Sequence, residues 1–448
     1  MSRTPDRKAA FLRKSIPLCI ALWSAASGVQ AQSLIDLYTA ARDYDATYQS
    51  AKSQYDATIA KGDQSLAGIY PTANLGAGAS QTNQDSSLAS LAGRNFNTQS
   101  ATVSVSQPLY RPSNWATYEQ GKKQIEVAQA QLTAAEQDLI VRVSQAYFDV
   151  LTAADALTSV RSLKTATAEQ LASAKRNFEV GTATIVDTRD AQAKYDLVVA
   201  QELAADNDLR VKSLALDQLV GRSGTKPKSL LAPVALSDLD PNDAEKWVQS
   251  SEANSPAIKQ LQTALDVARL ETEKAKSGHK PTLDLNSSYT TSNNAGSSTT
   301  ASSYNVNTAT IGLSFNLPLF AGYSVQNRVK ETLALEDKAK SDLDAARRTT
   351  AQTTRTAFFG VTSGLSQVKA YEAAEISSQS ALDSNKLGYQ VGVKINIDVL
   401  NSQSQLYDTK AKLSKARNDV LVGGLKLRQA VGTLTAADLQ AVNALLGP

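Results

Sequence analysis

Two stretches of this chain, FEVGTATIVDTRD at 178–190 and YQVGVKINIDVLN at 389–401, share one skeleton: Val-Gly, five residues, then Asp, at an offset of 211. The echo runs far beyond them. Pro71 and Leu75 match Pro281 and Leu285, and Pro108-Leu109-Tyr110 matches Pro318-Leu319-Phe320, both at an offset of 210. After one inserted residue, Ala146, Phe148 and Val150 match Ala357, Phe359 and Val361, and Gln192, Leu214 and Gly221 match Gln403, Leu425 and Gly432. A register held from Pro71 to Gly221 implies two structural copies of one unit.

Each copy reads as helix, two strands, a very long helix, a turn and a returning helix. The first, 32–222, carries expected strands at about 72–82 and 97–107, a long helix over 113–178, a tip turn at 180–187 and a helix over 188–221. The second, 246–433, carries strands at about 282–290 and 304–317, a long helix over 323–388, a tip turn at 391–397 and a helix over 398–431. A linker at 223–245 joins them, and 434–448 form a C-terminal tail.

Proline marks the divisions, with none between Pro112 and Pro227 or between Pro318 and Pro448. The stretch 113–178 is rich in Ala, Gln, Glu, Lys and Leu, all good helix formers. Leu132, Leu139, Val143, Ala146 and Val150 fall at steps of 7, 4, 3 and 4, a coiled-coil seam. Such a helix is a rod of roughly 100 Å. Its seam holds no chemistry, and the informative quantity is its reach.

The first 31 residues read as a secretory signal peptide: a basic start, the apolar run SIPLCIALWSAASG, and Val29-Gln30-Ala31 at the expected cleavage point. The single cysteine, Cys19, lies inside it, and only His279 represents histidine. Disulfides, thiol nucleophiles and zinc clusters are therefore excluded after processing, and a histidine-based triad or multi-histidine metal site is disfavoured. No cofactor is expected. The leader also carries the whole positive excess of the chain, so nothing favours nucleic acid as a partner.

No stretch after the leader is apolar enough for a transmembrane helix, so entry into a bilayer requires a barrel. The strand segments suit one. Ala-Thr-Val-Ser-Val-Ser-Gln at 101–107 and Ala-Thr-Ile-Gly-Leu-Ser-Phe-Asn-Leu at 309–317 alternate apolar with small polar residues. Such alternation also occurs in half-buried soluble sheets. Here Tyr70, Tyr110, Phe315, Phe320 and Tyr323 lie in or beside the strands, as interfacial aromatics do in membrane barrels. On this reading Ile311, Leu313 and Leu317 face lipid, while Thr310, Ser314 and Asn316 face the lumen.

Four strands cannot close a barrel, and an open edge in lipid leaves backbone groups unpaired. Two chains would give eight strands and a bore filled by side chains; three would give twelve and begin to leave a channel. The chain therefore requires an oligomer, and a trimer is the smallest conducting solution.

The duplicated plan, PLY and PLF closing the strand pairs, AYFDV and AFFGV in the long helices, and the paired VGTATIVD and VGVKINID turns resemble the TolC family over about residues 33–435. That resemblance implies an α+β membrane protein, a trimeric twelve-stranded β-barrel with four strands per chain continued by a long α-helical coiled-coil barrel, serving as a homotrimeric outer-membrane channel of a Gram-negative bacterium with a large periplasmic portion. It further implies an equatorial belt around 223–245 and the C-terminus. The channel would serve a tripartite efflux pump or type I secretion, with a periplasmic adaptor protein and an inner-membrane transporter of the ABC, RND or MFS type. The absence of a Gly-x4-Gly-Lys-Ser/Thr loop agrees with a passive conduit.

The resemblance also locates a gate at the turns. Tyr389 and Lys394 would latch onto first-copy residues around Thr184 and Asp187. Asp398 and Asn401 occupy positions where the family carries two acidic residues lining the mouth, and the first copy offers Asp187 and Asp190. Val180, Gly181, Thr182, Val391, Gly392 and Val393 would meet the adaptor. Read from the residues alone, Asp187 and Asp398 are helix N-caps; three symmetry copies of an acid near a constriction would also form a cation-binding ring. The glycines supply the backbone freedom of a tight helix end. A different class, a trimeric adhesin, also uses four strands per chain, but would group them at the C-terminus. An enzyme lacks the necessary histidine, cysteine or paired acids.

Overall fold

The computed structural model describes residues 32–85, 87, 93–231, 234 and 236–447. The expected leader, the centre of the first hairpin tip and part of the linker lie outside the described residues.

Each copy opens with a broken helix: α1 (Leu34–Tyr44) and α2 (Ala46–Leu66) in the first, α5 (Ala244–Asn254) and α6 (Pro256–Lys276) in the second. The breaks have local causes. The Asp45 carboxylate accepts the Tyr48 N–H at 2.8 Å and caps α2, whereas Pro256 begins α6 at a position where a missing N–H is harmless. Arg142 fixes the first break by donating two hydrogen bonds to Asp45 at 2.9 and 3.0 Å. That fork holds the Asp45 carboxyl below the usual carboxylate range, against the opposing effect of burial.

The strands are β1 (Thr72–Gln84), β2 (Arg94–Tyr110), β3 (Thr282–Asn294) and β4 (Tyr304–Asn316). Both hairpins run further toward their tips than the alternation indicated, because Asn, Gln, Ser and Thr continue the ladder where apolar residues stop. The order is β1-β2-β3-β4, all antiparallel, so the central β2–β3 pairing joins the two copies. β1 and β4 are open edges of 13 residues each.

Direct register separates the two faces of the sheet. Leu75, Val103, Tyr289 and Ala309 form one row, with Val105, Ser287 and Ile311 and then Leu285 and Leu313 beside it. On the opposite face Asn74, Ser104, Ser288 and Thr310 form a row next to Gly76, Thr102, Thr290 and Thr308. Thr102 and Thr290 share a hydroxyl hydrogen bond of 2.9 Å, and Ser106 donates to Asn286 at 2.8 Å. The apolar face is bare: Leu75 is 77% exposed, Ile311 75% and Phe315 66%. Leu317 stands one residue beyond β4, also exposed.

The long helices are α3 (Pro112–Glu179, 68 residues) and α7 (Ser324–Gln390, 67 residues), returned by α4 (Ile185–Val220) and α8 (Asn396–Val431). Both are continuous through Gly121, Gly360 and Gly364. Below the sheet α2, α3, α6 and α7 pack side by side; further down the row is α4, α3, α8, α7. The expected seam of α3 is inward, with Leu139 and Val143 fully buried and Val150 nearly so. They enter the largest core together with α1, the end of α4, α8 and a short α9 (Ala436–Asn443). Tyr147 is sealed there and donates its hydroxyl to the Lys228 carbonyl at 2.8 Å.

Candidate functional site: the paired turns at the helix tip

Both long helices end in the same way. Gly181 and Gly392 take φ of 79°, a left-handed value that a side chain disfavours. The Thr182 N–H reaches the Asn177 carbonyl at 2.8 Å and the Gly181 N–H reaches that of Phe178 at 3.0 Å. Val393 to Gly388 at 2.9 Å and Gly392 to Tyr389 at 3.2 Å repeat the pattern. This is the Schellman termination, which satisfies carbonyls that the helix end leaves unpaired. Val180, Val391 and Val393 stand exposed on the turns, with Thr182 beside Gly181.

The helix starts differ from the expected ones, because α4 begins at Ile185 and α8 at Asn396. Thr184, not Asp187, is the N-cap of α4. The Asp187 N–H donates to the Thr184 hydroxyl at 3.2 Å, while the Thr184 N–H donates to the Asp187 carboxylate at 3.0 Å. These reciprocal bonds form a capping box. In the second copy Ile395 holds the N-cap place and has no side-chain bond to give. Asp398, one turn in, pairs with Lys394 at 3.6 Å. Asp190 and Asn401 lie exposed on the second turns of their helices.

The two copies meet between the turns. Asn177 of α3 donates to the Tyr389 hydroxyl of α7 at 3.2 Å. Gln170 donates to the Asn396 side-chain oxygen, and the Asn396 amide donates onward to the Asp187 carbonyl at 3.2 Å. Asn396 is fully buried. Thr184, Asp187, Tyr389, Lys394 and Asn396 line one groove of about 790 Å³. Tyr389 meets the first copy through Asn177, not through Thr184 or Asp187. Lys394 lines the groove while its ammonium pairs within its own copy, since Asp398 lies one helical turn away.

Asn177, Gln170 and Asn396 were not singled out from the sequence, yet they carried a signal. At their equivalents in the other copy stand Gly388, Ala381 and Ile185. The contacts between copies are made where the repeat breaks its own symmetry.

The model of the outer membrane efflux protein family matches residues 37–222 and 247–433. The chain belongs to this family. It is 33% identical to the outer membrane protein TolC of Vibrio cholerae serotype O1 over 436 residues, 97% of this chain and 98% of that protein. It is 28% identical to the alkaline protease secretion protein AprF of Pseudomonas aeruginosa, over 92% of this chain and 87% of that one. In fold it is similar to the CmeC outer membrane channel of Campylobacter jejuni, with a TM-score of 0.77 at 15% identity over 99% of this chain and 98% of that one. As an efflux-family member the chain is an outer-membrane channel protein of efflux or type I secretion, and its relatives are channels rather than enzymes.

Proposed function

We propose that three copies of this chain close a twelve-stranded barrel in the outer membrane and continue it as a tunnel of twelve long helices through the periplasm. The tunnel is a passive conduit for small molecules or proteins, gated at its periplasmic tip. One observation carries this reading: a four-stranded sheet with two open edges and one bare apolar face. Lipid against that face removes its apolar area from water, and edge-to-edge pairing of β4 with a neighbour's β1 satisfies the backbone that lipid cannot.

The gate is the contact between copies at the turns, where a few hydrogen bonds between uncharged groups lie beside an apolar cluster of Leu171, Ala174, Ala191 and Leu400. Shifting the α7–α8 pair against the α3–α4 pair breaks these bonds without breaking either coiled coil. Asp187, Asp190 and Asp398, each present three times around the mouth, favour cations there, with Asn401 leaving one position neutral. A periplasmic adaptor protein docks on the exposed Val180, Val391 and Val393, and an inner-membrane transporter of the ABC, RND or MFS type supplies the energy.

Planar-bilayer recording of the purified protein tests the reading. Discrete conductance steps that fall when multivalent cations are added on the tip side are expected. A protein that inserts yet passes no current overturns it.

A further inference from the structure

At the place where strands become helices, Arg111 donates from Nε and one Nη to the two carboxylate oxygens of Asp284, at 2.7 and 2.6 Å. Arg111 directly precedes α3, and Asp284 is the third residue of β3, so the fork joins the first copy to the second. It is the only salt bridge between the copies among the described residues. The other inter-copy side-chain bonds, from Gln120–Glu271 and Thr152–Asn418 down to Asn177–Tyr389, involve at most one charged group.

The register fixes which side of the sheet carries the pair. Asp284 stands directly between Pro108 and Ser314, on the face of Asn286, Ser288 and Thr310, opposite Leu285, Leu313 and Phe315. The ladder shifts between Pro108 and Tyr110, and Arg111 follows at the point where β2 turns into α3. Asp284 is buried behind the fork, its side chain 11% exposed, whereas that of Arg111 is 43% exposed. The equivalent positions in the other copy are Ala321 and Asn74, so each chain carries one such pair and the repeat supplies no second.

Resting on the trimeric barrel proposed above, we infer that Arg111 and Asp284 form a charge-selectivity ring at the junction of barrel and tunnel. Three guanidinium groups line the lumen there, each neutralised from behind by a carboxylate that permeating ions do not reach. A ring of like charges in a narrow, water-filled wall sets which sign of ion enters. Here the net charge of the ring is tuned by a group outside the permeation path. Asp284 is thus a positioning and neutralising residue, and Arg111 the one that meets the solute.

The test is the reversal potential of the purified, full-length assembly in planar bilayers under a KCl gradient. Asp284→Asn uncovers three positive charges and should shift the permeability ratio several-fold toward chloride. Arg111→Gln leaves three carboxylates and should shift it several-fold toward potassium. Combining the two removes both charges and should place the ratio between those of the single variants. Conducting single variants with unchanged reversal potential, or both shifted in one direction, reduce the pair to a tie between strands and overturn the inference. Should the single variants fail to assemble, the exchange Arg111→Asp with Asp284→Arg keeps the ion pair but turns the acid toward the lumen. It must then favour potassium, and parental selectivity in that variant equally overturns the ring. Absence of any conductance in the parent protein would instead refute the barrel reading on which the ring rests.

Discussion

Asn177 at the end of one long helix donates a 3.2 Å hydrogen bond to the hydroxyl of Tyr389 at the end of the other, 212 residues away. With the Gln170–Asn396–Asp187 relay beside it, this bond ties the two copies together at the tip.

Removing these ties should open the tip. Tyr389→Phe deletes one hydrogen bond and Asn396→Ala two, each worth about 1 kcal/mol net. For Tyr389→Phe alone, threefold repetition turns ~1 kcal/mol per chain into ~3 per trimer, on the order of a hundredfold in the population of a closed state, and the double variant goes further. Single-channel conductance of the double variant should rise with assembly intact. Lys394→Ser, which breaks only an exposed pair within one copy, should change it little. Equal effects of Lys394→Ser and Tyr389→Phe would contradict the latch drawn here.

The two starts of the returning helices differ in a way that can be exploited. Thr184→Ala removes the α4 cap and should cost about 1 kcal/mol locally. Ile395→Thr supplies α8 with the hydroxyl it lacks, three residues before Asp398, and should stabilise it by a similar amount. Hydrogen exchange at the first amides of each helix should speed up in the first variant and slow down in the second. No change at Ile395→Thr would mean that the second turn is held by its contacts with the first copy rather than by its cap.

Leu313 and Ser314 are neighbours on opposite faces of β4. Arg at Leu313 should impair membrane insertion by about 2–4 kcal/mol if it lies near the midplane, and Arg at Ser314 should be far milder. Equal tolerance in an outer-membrane assembly assay would refute the lipid-facing assignment of Ile311, Leu313 and Leu317.

Asp45 and Arg142 give a pH signature away from the membrane. The folded pKa of Asp45 is depressed, so its contribution to stability is present above the unfolded carboxylate value near 4 and is lost as pH falls through the folded value. Asp45→Asn should lower the melting temperature at neutral pH, and the gap to the parent should shrink in acid. A gap independent of pH would show that the charge of the Asp45 carboxylate adds nothing to stability at this break.

Much of this was legible in the sequence because the fold is a duplication, and duplication leaves a constant offset. The seam of Leu139, Val143 and Val150 follows from patterning that burial enforces, and the strands from their period-two alternation. At the tip the helices start two or three residues earlier than the sequence indicates. Asp187 and Asp398 attract attention as acids, whereas the Thr184-x-x-Asp187 box that sets the true boundary is an ordinary-looking run. Asn396 escaped for a different reason: a neutral amide has no motif, and its role exists only through partners in the other copy. Arg111 and Asp284 are likewise 173 residues apart, joined by a register that no local pattern states.

The central claim is that β1 and β4, open in one chain, close onto each other between chains. The mass of the intact assembly released from detergent tests it most directly. A complex of three processed chains that keeps its strand signal is expected. A stable complex of one or two chains with the same strand content would contradict it, because four or eight strands cannot enclose the channel described here.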